Sequence, residues 1–88
     1  MRFVLTKHAR FALQRRRIRR EWIEAVLSSP LLTKPDKIDP ELEHRLGRIA
    51  EYGNRVLRVV VKSNVEPIKV ITVFWGNYSA PLGECKDS

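Results

Sequence analysis

The chain has one cysteine, one methionine and four glycines in 88 residues, and its first twenty residues contain no acidic side chain. A lone Cys85 allows no intrachain disulfide and excludes a zinc site built from four cysteines. That usage fits a reducing compartment, and a cytoplasmic location is expected. No run approaches the roughly 20 consecutive apolar residues that a membrane-spanning helix needs. The basic start leads into more charge and not into the apolar stretch of a secretory signal, so neither export nor a membrane anchor is expected. Internal repeats and low-complexity linkers are also missing.

What is present is positive charge, unevenly placed. Residues 1–20 carry eight basic groups, Arg2, Lys7, Arg10, Arg15, Arg16, Arg17, Arg19 and Arg20, and sum to +8. Residues 21–51 hold four basic and seven acidic groups, or −3, and residues 52–88 hold five and three, or +2. The total is +7 with a pI near 10.2, so anionic partners are expected, and the clustering favours a patch over a uniformly charged surface. A hydrophobic content of 43% is enough for a folded core, and this length makes one small domain. Residues 1–76 read as that domain, and residues 77–88, after Gly76, as an irregular tail in which Asn77, Pro81 and Gly83 break regular structure.

Periodicity divides the domain into helices followed by strands. Arg2 to Leu5 is a brief strand or an extended lead-in. Thr6 is a natural N-cap for a helix over about 7–16, with Ala9, Ala12, Leu13 and Arg16 at helical spacing. A second helix over about 20–28 has Trp22, Ile23, Val26 and Leu27 on one face and stops before Pro30. Leu31 to Thr33 reads as an edge strand. Leu42 to Glu51 reads as a weaker strand with a possible bulge at Gly47, Arg55 to Lys62 as the strongest strand, and Ile68 to Trp75 as the last. The fold class expected is α+β: two N-terminal helices packed on a three- to four-stranded antiparallel meander.

A two-residue turn at Gly53-Asn54 would pair Ile49 with Arg58 and Arg45 with Lys62. A four-residue loop at 64–67 would pair Val61 with Val70 and Arg58 with Val73. One face then collects Leu46, Leu57, Val59, Val61, Val70 and Phe74 under the helices. The other collects Arg45, Ile49, Arg58, Lys62 and Trp75, an apolar floor edged with cations of the kind that binds nucleic acid.

Thr6-x-His8-Ala9, then Leu13, Arg16 and Ile18, then Trp22-Ile23, then Leu57-Arg58-Val59-Val60-Val61 and Ile71-Thr72-Val73-Phe74-Trp75 form a pattern. It resembles the family called domain of unknown function 4258, whose opening is similar to T-x-H-A-x-x-R-M-x-x-R-G-I-S. The resemblance covers about residues 4–75. It implies the compact helix-helix-sheet fold of RelE-like and BrnT-like toxins, which are small basic ribonucleases that act without a metal and are neutralised by an antitoxin. The chain departs from the pattern in having Ala12 for the first arginine, Arg17 for the glycine, and Arg19 or Arg20 for the serine. Arg15 can stand in for the missing arginine from the neighbouring turn, because positions 8, 12, 15 and 16 share one side of the helix.

On that resemblance the expected function is a metal-independent ribonuclease toxin that cleaves RNA by attack of the ribose 2′-hydroxyl. The alternative is a non-catalytic basic module on the same fold that binds RNA or a protein. His8 is the candidate for proton transfer, and Arg16 the candidate for holding the scissile phosphate, unless it pairs with Glu21 or Glu24 instead. His8 and Arg16 stand about 12 Å apart along a helix axis, so Arg58 or Arg45 must supply the nearer phosphate contact. Arg15, Arg45 and Lys62 are further phosphate candidates, with Arg48 replacing Arg45 if the register slips by one. Trp75 either stacks a base or packs in the core, Trp22 packs in the core, and His44 reads as a solvent-exposed histidine. The acidic run Asp36-x-x-Asp39-x-Glu41-x-Glu43 reads as a solvated connector. No metal and no cofactor are expected. The expected partners are RNA, free or on the ribosome, and an antitoxin protein.

Overall fold

The computed structural model describes residues 2–76. The predicted tail over 77–88, with Cys85, lies outside the described residues. The chain runs β1 (Phe3–Leu5), α1 (Lys7–Arg15), α2 (Arg20–Ser28), β2 (Leu32–Pro35), β3 (Leu42–Ile49), a single 3₁₀ turn (Ala50–Tyr52), β4 (Arg55–Lys62) and β5 (Ile68–Gly76). The class is α+β, as expected, but the sheet has five strands and is mixed, in the order β1-β5-β4-β3-β2. Strands β2 to β5 form an antiparallel meander, and β1 joins β5 in parallel, with Phe3 opposite Ile68 and Leu5 opposite Val70. The expected three- or four-stranded, wholly antiparallel sheet is therefore corrected. The first strand precedes both helices and returns to the far edge, which a reading of the meander alone does not capture.

Local chemistry accounts for the helices. The Thr6 hydroxyl accepts the Ala9 amide at 3.1 Å, which satisfies one of the free donors at the start of α1. The same hydroxyl donates to the Ile71 carbonyl at 3.1 Å, tying the cap to β5. At the other end the Ile18 amide donates back to Leu13 at 2.9 Å and the Arg17 amide to Gln14 at 3.3 Å, with Arg17 at φ +55°. This is a Schellman motif, which needs one left-handed residue just past the helix. It turns the chain sharply into α2 and buries Ile18. Arg17 occupies the position where the family's opening carries glycine, and the positive φ is the physical reason a glycine suits it.

One core lies between the helices and the sheet. Ala9 and Ala12 of α1 and Trp22, Ile23, Val26 and Leu27 of α2 cover Ile49, Leu57, Val59, Val61, Val70 and Val73. Gly47 sits in regular register opposite Leu57, not in a bulge. A Cβ there would stand 2.9 Å from Val26 Cγ2, so the glycine lets α2 approach the sheet closely.

Two features overturn the predicted faces. Gly53 and Asn54 do take left-handed backbones (φ +67° and +58°), but the 3₁₀ turn precedes them and lengthens the connection. Ile49 therefore pairs with Arg55, Leu46 with Arg58 and Leu42 with Lys62. The shift from the expected register is three residues, an odd number, so β3 turns over relative to β4. In β5, Val61 pairs with Val70 as expected, but Val60 pairs with Thr72, which leaves Ile71 bulged and turns over the end of that strand. Arg45, Ile49 and Trp75 consequently share the helix-side face with Leu57. Leu46 and Phe74 lie on the opposite face with Arg58 and Lys62.

Candidate nucleic-acid interface

The charged part of the face away from the helices is built from alternate residues of four of the five strands. Lys34 of β2 pairs with His44 of β3, Arg48 pairs with Val56 of β4, and Lys62 pairs with Lys69 of β5. Together with Arg58 these put five cations and one imidazole over a floor that includes Leu46, Val56 and Val60. Arg58 is half-buried, and its guanidinium carbon lies 5.8 Å from the centre of the Phe74 ring.

The best-organised group on this face is a hydrogen-bonded chain of three side chains. Asp36 Oδ1 lies 2.7 Å from His44 Nε2, and His44 Nδ1 lies 2.8 Å from Arg58 Nη1. A guanidinium has donors only, so Nδ1 must accept from it. The partners thus assign His44 as neutral imidazole with its proton on Nε2, donated to Asp36. Asp36 Oδ2 also accepts the amides of Ile38 at 3.1 Å and Asp39 at 2.9 Å. The Asp39 amide first, then the His44 hydrogen bond and the Ile38 amide, hold the Asp36 carboxyl down at about 2. His44 is 18% exposed, in contrast to the solvent-exposed histidine expected from the sequence, and the connector around Asp36 supplies its partner. Only the cross-strand register, which places residue 44 diagonally beside residue 58, reveals this group. Nothing in the spacing of 36, 44 and 58 announces it.

The other candidates fall elsewhere. Lys62 Nζ pairs with Glu41 Oε1 at 2.7 Å, and the hydrogen bond to that carboxylate raises the lysine above its ordinary value. Arg45 faces the helices. Its Nε donates to Glu43 Oε2 at 2.6 Å and its Nη1 to the Leu27 carbonyl at 3.2 Å, so it caps the end of α2. Arg48, the alternative to Arg45, is on the same face as Arg58. His8 and Arg15 lie exposed on α1, and Arg16 lies exposed at its end, where Arg15 sits 5.5 Å from the Phe11 ring. His8, Arg15 and Arg16 are thus on the helix side, and Arg58 and Lys62 are on the other.

Trp75 is stacked on Tyr52, with centroids 4.6 Å apart and planes at 11°, and meets Trp22 edge-on at 5.8 Å. Its Nε1 donates to the Arg16 carbonyl at 3.2 Å. Arg55 lies 5.7 Å from the Tyr52 ring and 5.6 Å from the Trp75 ring. The indole therefore links β5, the 3₁₀ turn and the end of α1. Among the described residues no three His, Cys, Asp or Glu side chains gather as metal ligands, and no helix is long and apolar enough to cross a membrane.

A sequence profile of the family described as Domain of unknown function (DUF4258) matches residues 5–75. The chain belongs to that family. Comparison with curated proteins and with solved structures returns no match.

Proposed function

We propose that the domain is a metal-independent ribonuclease of the toxin type, with the RelE-like architecture that the sequence pattern resembles. In this reading it cleaves RNA through attack of a ribose 2′-hydroxyl and is held in check by an antitoxin protein. The observation that carries this reading is the cationic sheet face. Arg48, Arg58, Lys62 and Lys69 stand on three adjacent strands over an apolar floor, where a phosphodiester chain has cations along its path. Arg58 donates to a neutral imidazole through one nitrogen, and an anionic phosphate competes for that guanidinium.

The competing reading is a non-catalytic module that binds RNA or a protein with the same face. It is favoured by the separation of His8 and Arg16 from Arg58, which leaves the three residues predicted for catalysis on opposite sides of the sheet. RNA binding and cleavage measured together test both. Affinity should fall by a slope of about −0.7 in log affinity per log salt for each phosphate contact on single strands. Cleavage should continue in the presence of a chelator. Salt-dependent binding without cleavage, on free RNA and on ribosomes, establishes the module reading. No binding at low salt ends both.

A further inference from the structure

We propose that His44 is the general base of the cleavage reaction, kept covered by Arg58 until an RNA phosphate draws the guanidinium away. The proposal rests on the ribonuclease reading above and names the proton-transfer residue it lacks.

The argument begins from the hydrogen bonds. A general base needs an unprotonated atom with an available lone pair, close to a cation that holds the reacting phosphate. His44 Nδ1 is such an atom, 2.8 Å from Arg58 Nη1. In the free protein its lone pair is occupied by the arginine, so the base is masked. A phosphodiester offers that guanidinium anionic oxygens, which bind it more strongly than a neutral imidazole does. The movement that binds the phosphate therefore exposes Nδ1 next to the bound ribose. Asp36 Oδ1, 2.7 Å from Nε2, keeps the ring in the tautomer that leaves Nδ1 basic and stabilises the imidazolium once it forms. Asp36 is anchored by the amides of Ile38 and Asp39, so this support is held by the backbone.

The step balances without a cofactor. The 2′-hydroxyl proton passes to Nδ1, the 2′-oxygen bonds to phosphorus, and the bond from phosphorus to the 5′-oxygen breaks. The products are a 2′,3′-cyclic phosphate and a 5′-hydroxyl, whose proton comes from water. The imidazolium returns its proton to the hydroxide left behind.

The test uses the full chain and a single-stranded RNA oligonucleotide. His44→Gln keeps a polar group between Asp36 and Arg58 but cannot act as a base near neutral pH. RNA affinity should stay within about twofold, while single-turnover cleavage falls about a hundredfold or more. Unchanged cleavage in a folded His44→Gln protein, or loss of cleavage in His8→Ala with His44→Gln active, overturns the assignment. Wild-type protein that binds RNA but never cleaves it overturns the ribonuclease reading and this proposal with it, which is a different result. A second measurement does not depend on any variant folding. The imidazole ¹⁵N resonances of wild-type His44 should report the Nε2–H tautomer, and the Nδ1 resonance should shift when a non-cleavable 2′-O-methyl oligonucleotide binds. An Nδ1 resonance that stays still at saturation means Arg58 does not leave, and the proposal fails.

Discussion

Gly47 and Val26 are matched across the interface between sheet and helix: a methyl group on Gly47 would reach within 2.9 Å of Val26 Cγ2. Val26 is 2% exposed and belongs to the core between α2 and the sheet, so one of the two must shift to admit the methyl group. Gly47→Ala should therefore destabilise the fold by about 1–3 kcal/mol, as overpacking does in a close-packed core. Urea unfolding followed by circular dichroism measures it, and a variant as stable as the wild type would mean that α2 tolerates a wider spacing.

Arg17 adopts φ +55° with no glycine to relieve it. The left-handed conformation costs a residue with a side chain roughly 1–2 kcal/mol, partly offset by the greater freedom glycine has when unfolded, about 0.5–1 kcal/mol. Arg17→Gly should raise stability by up to about 1.5 kcal/mol and raise the melting temperature accordingly. A lower melting temperature would show that the arginine side chain contributes more than its backbone costs.

Trp22 joins α2 to the aromatic cluster of Tyr52 and Trp75, and only 8% of it is exposed. Trp22→Ala should cost roughly 3–5 kcal/mol, enough to leave little folded protein in a domain of this size. Recovery of a soluble variant with a cooperative melt would contradict this placement.

Asp36 sets an acid limit. Its carboxyl is held at about 2 in the folded protein against an ordinary 3.8, so the folded state binds its proton less readily than the unfolded state. The stability it contributes is complete above the ordinary value and is lost as the pH falls towards about 2. The difference in stability between wild type and Asp36→Asn should accordingly be constant above about pH 5, shrink below pH 4 and vanish near pH 2. Denaturation at a series of pH values checks it. A difference independent of pH would show that the carboxylate charge is not what matters.

Much of this architecture is legible in the order of residues because the signals are local. The two helices, their limits near 7–16 and 20–28, the Thr6 cap and the four later strands follow from spacing, capping chemistry and proline. The apolar face of β4 follows from alternation alone. The pairing of β1 with β5 is not legible, because it joins positions 65 residues apart and three residues carry too little pattern. Nor are the faces of β3 and of the end of β5. A sheet face depends on whether a register shift is odd or even, and one 3₁₀ turn and one bulge at Ile71 decide that.

The charged residues divide in the same way. Composition by itself determined that this protein is basic, with its charge concentrated, because net charge does not depend on folding. Only the tertiary structure decided which cations stand together. It turned Arg45 inward to cap α2, put Arg58 on the face opposite His8, and brought Asp36, His44 and Arg58 into one hydrogen-bonded chain. Hydrogen bonds of 2.7–2.8 Å need atoms placed to within a fraction of an ångström. That placement is set by cross-strand register, a property of paired strands that no single segment of the chain contains.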